Sequence, residues 1–197
     1  MAKAHPKLTV HGLDRSEKML ELARRRAPGL SWHKGDMTDF QLDQDFDLII
    51  CGFNSVQHLL SDDAVRAFLR CCHRHLCSTG RLCIDLFNPS PEFTAGPRQN
   101  CFVTRFTSAS LGKEVELYED TDYDVETRIL DIVYHYRQTN GELIRSTPYQ
   151  MRQYFPGDLD CLIEECALTT RQLWGDLKQA PFTPTSPKQI YVCGRAS

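Results

Sequence analysis

The feature that most constrains the fold is a nearly continuous apolar run at residues 46–51, Phe-Asp-Leu-Ile-Ile-Cys. Such runs are typical of strands buried on both faces, as in parallel sheets. A second run of this kind follows at 81–87, and a helix-like stretch at 62–76 separates the two. Strand, helix and strand in this order predict a doubly wound α/β fold.

The elements before this run continue the same alternation. A strand is predicted at 8–13, followed by a helix that begins within 14–17 and stops at Pro28 and Gly29. A second strand at 30–34 is closed by Gly35 and Asp36.

A different pattern begins after Pro97. Four β segments without helical periodicity between them are predicted at 102–109, 114–122, 128–138 and 143–154. The Asn140-Gly141 pair between the last two is a strong hairpin signal. A helix opened by Pro156 and strands at 169–174 and 189–194 follow. We therefore predict three parts: a core at 1–97, an inserted antiparallel β subdomain at 98–155, and a return to the core at 156–197.

Composition narrows the class of protein. A chain of 197 residues with a net charge of −3 suits one domain, and it lacks the clustered basic residues of a nucleic-acid-binding surface. No apolar run approaches the roughly 20 residues that span a bilayer. The nine cysteines include no Cys-x-x-Cys pair, which favours reduced thiols in a cytoplasmic protein. We expect neither a nucleic-acid partner nor a membrane partner.

One cysteine group raises the question of a metal site. Cys71 and His75 are four residues apart and would share one face of a helix. Cys72, however, falls in line with the apolar stripe of that helix, and no second pair with ligand spacing is evident. We predict core cysteines and no metal, with zinc as the alternative.

Several segments, in this order, resemble the Rossmann-like (class I) S-adenosylmethionine-dependent methyltransferases. Residues 10–20 (Val-His-Gly-Leu-Asp-Arg-Ser-Glu-Lys-Met-Leu) resemble the second strand and following helix of the family. Residues 35–37 (Gly-Asp-Met) resemble its third-strand ending, and 46–60 its fourth strand and the loop behind it. The resemblance implies a mostly parallel sheet, an inserted antiparallel sheet and a C-terminal antiparallel strand pair.

The resemblance also implies S-adenosylmethionine as cofactor and assigns residues to it. Asp14 would bind the ribose hydroxyls, and a carboxylate can indeed accept hydrogen bonds from both. The alternative for Asp14 is a helix cap. Asp36 would accept from the adenine amino group and Met37 would lie beside the ring. The methionine part would contact Cys51, Gly52 and Phe53.

The substrate would lie next to these residues. The resemblance places Asn54, Gln57 and His58 toward the methyl group and the substrate. His58 is the candidate base, because histidine exchanges protons near neutral pH; a plain loop histidine is the alternative. Three residues of the inserted sheet are further candidates for the substrate pocket, although strand alternation keeps them from all pointing inward: Tyr149, Arg152 and Tyr154.

The sequence departs from the family at its beginning. The family opens with a strand, a glycine-rich loop and a helix, and this sequence begins after them, so we expect a chain truncated before the second strand. The first strand of the family would lie centrally, between the strands at 8–13 and 46–51. Without it, two strands should lose ladder partners, and unpaired edges invite aggregation.

The predicted function is methyl transfer from S-adenosylmethionine to an N, O or C nucleophile of a small molecule. A non-catalytic partner subunit that kept the fold is the alternative, favoured by the absent glycine-rich loop. A nicotinamide dehydrogenase is less favoured, because its phosphate-binding fingerprint is also absent. The inserted sheet would either cover the pocket or pair two protomers as a homodimer.

Overall fold

A computed structural model describes residues 8–90 and 94–196. Ten strands are present among these residues: β1 His11–Asp14, β2 Ser31–Lys34, β3 Phe46–Cys51, β4 Leu76–Phe87, β5 Arg98–Ser108, β6 Lys113–Asp124, β7 Ile129–Gln138, β8 Leu143–Arg152, β9 Leu168–Trp174 and β10 Lys188–Arg195. The described helices are α1 Glu17–Arg26, α2 Asp62–His75 and α3 Asp160–Glu165, with a 3-10 helix at Ser55–His58.

Both long helices begin at a serine cap. Ser16 accepts a hydrogen bond from the Met19 N–H at 3.4 Å before α1, and Ser61 accepts from the Ala64 N–H at 3.2 Å before α2. These bonds satisfy N–H groups that have no partner within the helix. Acidic residues follow in the first turn of each helix and basic residues in the last, which suits the helix dipole.

The hydrophobic core lies against a four-stranded sheet in the order β3-β4-β10-β9. β3 and β4 are parallel, whereas β10 runs antiparallel to both of its neighbours. Leu82, Ile84 and Leu86 alternate along β4 and are fully buried, because every second residue of a strand faces the same side. They pack in one cluster with residues of α2 and α3, including Leu69 and Ile163.

The parallel part of the sheet is split in two. β1 and β2 pair with each other as a separate two-stranded parallel sheet, and β1 is not paired with β3. The predicted burial of β3 on both faces is therefore wrong: Leu48 and Ile50 are each 48% exposed. Their exposure follows from the missing neighbour, since β3 pairs only with β4 among the described residues.

Three predicted elements differ in detail. The first strand begins at His11 and not at residue 8. Pro156 lies in a turn and does not open a helix, since α3 begins at Asp160. The turn predicted at 78–80 is an irregularity inside β4, because pairing steps from Phe46↔Leu76 to Leu48↔Arg81. Glycine is required there, since a Cβ on Gly80 would lie 2.9 Å from the Phe46 carbonyl oxygen.

The four β segments of the middle region form an antiparallel meander, in the order β5-β6-β7-β8. The β7–β8 hairpin turns at Asn140 and Gly141, and Gly141 has a φ of +89° that glycine adopts without strain. Arg152, at the end of β8, ties the meander to α2 through an ion pair with Asp62 at 2.7 Å. The homodimer through this sheet stays a prediction.

The cysteine and histidine group in α2 is packed in the core. The Nδ1 of His75 lies 2.8 Å from the Cys71 carbonyl oxygen, and its Nε2 accepts the Leu42 N–H at 2.9 Å. Both ring nitrogens are thus engaged with backbone. No group of three or more potential metal ligands occurs within 8–90 and 94–196. Over the same residues, no helix has the length and apolar character needed to cross a membrane.

The thiols are predicted to differ strongly in reactivity. Burial raises the pKa of Cys51 and of Cys193 to about 12, whereas Cys161 is exposed. Because the thiolate is the nucleophile, we expect iodoacetamide at pH 8 to alkylate Cys161 first and to leave Cys51 and Cys193 unmodified until unfolding. Peptide mass mapping of the native and the urea-unfolded protein measures this. Early alkylation of Cys51 would contradict the described packing.

Candidate active site

A cleft of about 660 Å³ runs along β1 and β3, from His11 and Phe46 to the carboxyl ends of these strands and of β2. In open α/β sheets, ligands bind at the carboxyl ends of the strands, which form one end of this cleft. Six of the residues that the sequence singled out line it: Asp14, Asp36, Met37, Cys51, Gly52 and His58.

Asp14 stands where β1 meets α1. Its Oδ1 accepts a hydrogen bond from the Ser16 N–H at 2.7 Å, so the side chain shapes the turn into the helix. The N-cap itself is Ser16. Gly12, two residues earlier, packs against the Trp32 ring. A Cβ there would lie 2.2 Å from that ring, so only glycine fits. Asp14 thus stabilises the turn into α1 and also lines the cleft.

The side chain of Asp36 is held by Thr38, two residues later. Its Oδ1 accepts the Thr38 N–H at 2.8 Å and the Thr38 hydroxyl at 2.7 Å. These bonds lower the pKa of the Asp36 carboxyl below its ordinary value, because they stabilise the charged form. The side chain is therefore a hydrogen-bond acceptor at neutral pH.

The loop after β3 is anchored to the end of β4. Phe53 and Asn54 have φ values of 53° and 61°, a left-handed conformation uncommon outside glycine. Asp85 holds both: its Oδ2 accepts the Phe53 N–H at 3.2 Å and its carbonyl accepts the Asn54 N–H at 3.0 Å. Lys188 in turn pairs with the Asp85 Oδ1 at 2.6 Å. Strained backbone held in this way is typical of functional loops.

Two residues predicted next to Cys51 and Gly52 do not line the cleft itself. The Asn54 Oδ1 accepts the Phe87 N–H at 2.8 Å, so this side chain is engaged with β4. Phe53 is 93% exposed. Because of the left-handed turn, its ring stands in solvent beside the cleft.

The 3-10 helix separates its two candidate residues. His58 lines the cleft and is exposed, whereas Gln57 is buried. The Gln57 Oε1 has no hydrogen-bond partner among the described residues. The structure thus brings His58 to the cleft and turns Gln57 into the protein interior.

Of the three candidates in the inserted sheet, one lies beside the cleft. The Tyr149 ring is 6.2 Å from the His58 ring and 5.1 Å from the Tyr134 ring, measured between centroids. Burial and its bond to Tyr134 raise the pKa of Tyr149 above its ordinary value, so its hydroxyl stays protonated. Arg152 is paired with Asp62, and Tyr154 is buried with its hydroxyl donating to the Leu59 carbonyl.

Sequence reasoning missed Tyr134 and Asp85. The Asn-Gly turn indicates that Tyr134 and Tyr149 lie on paired strands, but it does not give their register, because the pairing shifts by one residue between Tyr136 and Arg137 and only this shift gives Ile132↔Tyr149. Asp85 could not have been found from the sequence, because an acidic residue within an apolar strand does not by itself indicate which group it binds.

Comparison with known proteins confirms the resemblance to S-adenosylmethionine-dependent methyltransferases. Residues 1–80 match the family model described as a methyltransferase domain. A dTDP-3-amino-3,6-dideoxy-alpha-D-glucopyranose N,N-dimethyltransferase of Streptomyces fradiae is 36% identical over 88 residues, which cover 45% of this chain and 34% of the relative. A dTDP-3-amino-3,4,6-trideoxy-alpha-D-glucopyranose N,N-dimethyltransferase of Streptomyces venezuelae is 38% identical over 65 residues, 33% of this chain and 27% of the relative. The alignments thus span about a third of these relatives.

Solved structures show the same fold over nearly the whole chain. The CcbJ methyltransferase from Streptomyces caelestis superposes with a TM-score of 0.86 at 21% identity, over 99% of this chain and 78% of that one. CalS10, an amino pentose methyltransferase from Micromonospora echinaspora solved with S-adenosylmethionine bound, has a TM-score of 0.72 at 22% identity, over 99% and 76% of the two chains. At these identities the likeness concerns the fold.

Proposed function

We propose that this chain transfers a methyl group from S-adenosylmethionine to a nucleophile of a small molecule, most specifically to the amine of a nucleotide-linked amino sugar. One observation carries the proposal. The carboxyl ends of β1, β2 and β3 bring Asp14, Asp36 and the Cys51–Gly52 turn to one cleft, which His58 also lines. The curated relatives named above are amino-sugar N,N-dimethyltransferases, which supports the amine.

The residues that line the cleft fit one side of this cofactor. Asp14 presents a carboxylate for the ribose hydroxyls, and Asp36 presents one that is charged at neutral pH for the adenine amino group. Met37 and Cys51 line the same cleft with softer, apolar surface. S-adenosylmethionine, when bound, supplies an electrophilic methyl group on a sulfonium centre.

The substrate would enter from the side of the inserted sheet. Tyr134 and Tyr149 form an aromatic wall next to His58, and the charge of Glu119 acts on Tyr149. Aromatic faces and a carboxylate both favour a cationic group over an anionic one. The amine of an amino sugar is protonated in water, and this cationic form suits the surface. The amine attacks the methyl group only after it has lost that proton.

The chemical task of His58 is to take the proton that the amine loses. The cofactor supplies the reactive methyl group, and the protein aligns the substrate with it. A positioned base removes the proton of the amine. The exposed position of His58 on the cleft wall lets it pass that proton on to water.

The cofactor site is tested by calorimetric titration of S-adenosylhomocysteine into the chain and into Asp14→Asn. Hydrogen bonds to a charged group contribute about 1.5–3 kcal/mol, so we expect the variant to bind roughly 10- to 150-fold more weakly. Asparagine keeps an oxygen that can accept the Ser16 N–H, which should preserve the fold.

A Ser16→Ala variant is the control for the helix cap. It loses the bond to the Met19 N–H and about 1 kcal/mol of stability, and it should bind S-adenosylhomocysteine as the parent does. Equal affinity for the parent chain and Asp14→Asn would remove Asp14 from the site. The absence of any binding by the folded parent chain would contradict the proposed cofactor.

The acceptor is tested by mass spectrometry. The chain is incubated with S-adenosylmethionine and the dTDP-amino sugar for which the Streptomyces fradiae relative is named, and the sugar is examined for one or two added methyl groups. The hydroxy analogue of the same sugar is the matched control for nitrogen as acceptor. Methylation of the hydroxy analogue alone would overturn the choice of an amine.

A further inference from the structure

The face of the meander that bears Tyr134 and Tyr149 continues beyond them along β7 and β8. Tyr136, two residues after Tyr134, pairs with Arg145. Because every second residue of a strand faces the same side, Tyr136 and Arg145 also lie on this face, which we call the tyrosine face. Tyr149 is its member next to His58, so the tyrosine face runs outward from the candidate base.

The tyrosine face carries charges of opposite sign at two places. Glu119 of β6 pairs with Tyr134, and Arg145 lies farther out. Along the stretches where the described strands β6, β7 and β8 pair with one another, these are the only acidic residue and the only lysine or arginine on this face. At about 3.3 Å per residue, the backbone of Arg145 is about 13 Å from that of Tyr149. The face is thus negative near His58 and positive at its outer end.

The guanidinium of Arg145 is held in place but has no anionic partner. The residue is exposed, and its Cζ lies 4.9 Å from the centroid of the Tyr136 ring. Stacking on an aromatic face orients the planar guanidinium and leaves its N–H donors open. No hydrogen bond or ion pair joins these donors to residues 8–90 or 94–196, whereas Arg105 and Arg152 of the same sheet pair with carboxylates. The donors of Arg145 are therefore available to an anion.

The order of these charges matches that of a nucleotide-linked amino sugar. Such a molecule carries an ammonium group on the sugar ring and a diphosphate on the anomeric carbon of the same ring. Glu119 and the tyrosine rings favour the ammonium group. A guanidinium suits the diphosphate, because its planar fork donates two hydrogen bonds to phosphate oxygens at once.

We propose that Arg145 binds the diphosphate of the substrate and makes the site specific for the nucleotide-linked sugar over the free amino sugar. This inference rests on the proposed function. With the amine beside His58, the diphosphate lies one sugar ring away along the tyrosine face, within the span between Tyr149 and Arg145. The Tyr136 ring holds the guanidinium before the substrate arrives, which lowers the entropy lost on binding.

Calorimetric titration of dTDP tests this contact without methyl transfer. We expect Arg145→Gln to bind dTDP at least tenfold more weakly than the parent chain does. Arg145→Lys should fall between the two, because lysine keeps the charge but not the planar fork. Added salt should weaken the parent more than Arg145→Gln, since it screens an exposed charge pair. Thymidine, which has no phosphate, should not distinguish the parent from Arg145→Gln.

Arg137 provides a matched control on the opposite face of the meander. Its Cζ lies 5.3 Å from the centroid of the Tyr118 ring, so its guanidinium is stacked in the same way. Arg137→Gln removes the same charge and should leave the affinity for dTDP unchanged. Equal weakening by Arg137→Gln and Arg145→Gln would indicate a general effect of charge and would overturn the assignment. Absence of dTDP binding by the parent, with its fold verified by circular dichroism, would overturn it as well.

Specificity is measured with two acceptors, the dTDP-amino sugar and the methyl glycoside of the same amino sugar. The parent chain should favour the nucleotide-linked acceptor at least tenfold in kcat/KM. Arg145→Gln should lose this preference through KM, because a contact remote from the methyl group contributes uniform binding. The same preference in parent and variant would overturn the proposal. Binding of dTDP that depends on Arg145, without methylation of either acceptor, would leave the diphosphate site standing and count against the proposed function, so the two failures are distinguishable.

Discussion

Replacing His58 by alanine is expected to lower kcat for methylation of the amine by about 10²- to 10⁴-fold, the usual contribution of a positioned base. The residue lines the cleft on the 3-10 helix that follows β3, with its ring 6.2 Å from that of Tyr149. Affinity for S-adenosylhomocysteine should not change, because the proposed cofactor contacts come from other residues. Steady-state rates and calorimetry on the same preparation measure both quantities.

Two controls separate proton transfer from structure. Added imidazole should restore part of the rate of His58→Ala, since a small base can occupy the vacated space, and a purely structural histidine would not be rescued. His73→Ala removes a histidine of α2 that does not line the cleft, and it should keep the parent rate. A rate for His58→Ala within threefold of the parent would remove His58 from the chemistry.

Replacing Tyr154 by alanine is expected to destabilise the fold by about 3–5 kcal/mol, as for other large buried aromatic residues. Tyr154 is 1% exposed, and its hydroxyl donates to the Leu59 carbonyl at the end of the 3-10 helix. Its own carbonyl accepts the Gln189 side-chain amide at 2.7 Å. The side chain thus ties the end of the inserted sheet to the core, and urea unfolding followed by circular dichroism measures the loss.

Tyr154→Phe separates the hydrogen bond from the packing. It leaves the Leu59 carbonyl without this donor and should cost about 1–3 kcal/mol. Because Tyr154 does not itself line the cleft, KM of the folded variant should match that of the parent. A raised KM without loss of stability would restore Tyr154 to the substrate pocket that the sequence suggested.

The elements of the fold could largely be predicted, because each depends on local signals. The apolar run at Phe46–Cys51 gave a strand with the predicted bounds, and the Asn140-Gly141 turn gave the β7–β8 hairpin. The burial of β3 could not be predicted from β3 itself, since exposure of Leu48 and Ile50 depends on a neighbour. The prediction that Pro156 opens a helix was wrong, because a proline is compatible with both a turn and the first turn of a helix.

In the candidate site, too, local signals predict some residues, whereas the position of others depends on tertiary packing. Asp14 and Asp36 follow directly from strand ends, and parallel strands bring their carboxyl ends to one edge. Tyr149, Arg152 and Tyr154 belong to one segment, yet Tyr149 lies beside His58. Arg152 pairs with Asp62 and lies over the ring of the buried Tyr154, 5.1 Å from its centroid. Alternation along the strand predicted Arg152 and Tyr154 on one face and Tyr149 on the other, but only the packing of the meander decides which face approaches the cleft.

The position of β10 between β4 and β9 has a consequence for synthesis on the ribosome. Ile84 of β4 pairs with Tyr191 of β10, 107 residues later in the sequence (191 minus 84). At about 5–20 residues per second, this partner emerges several seconds after β4. During that interval one edge of β4 has no partner from β10, so a nascent chain stalled before residue 188 should be a target for chaperones that bind exposed apolar strands.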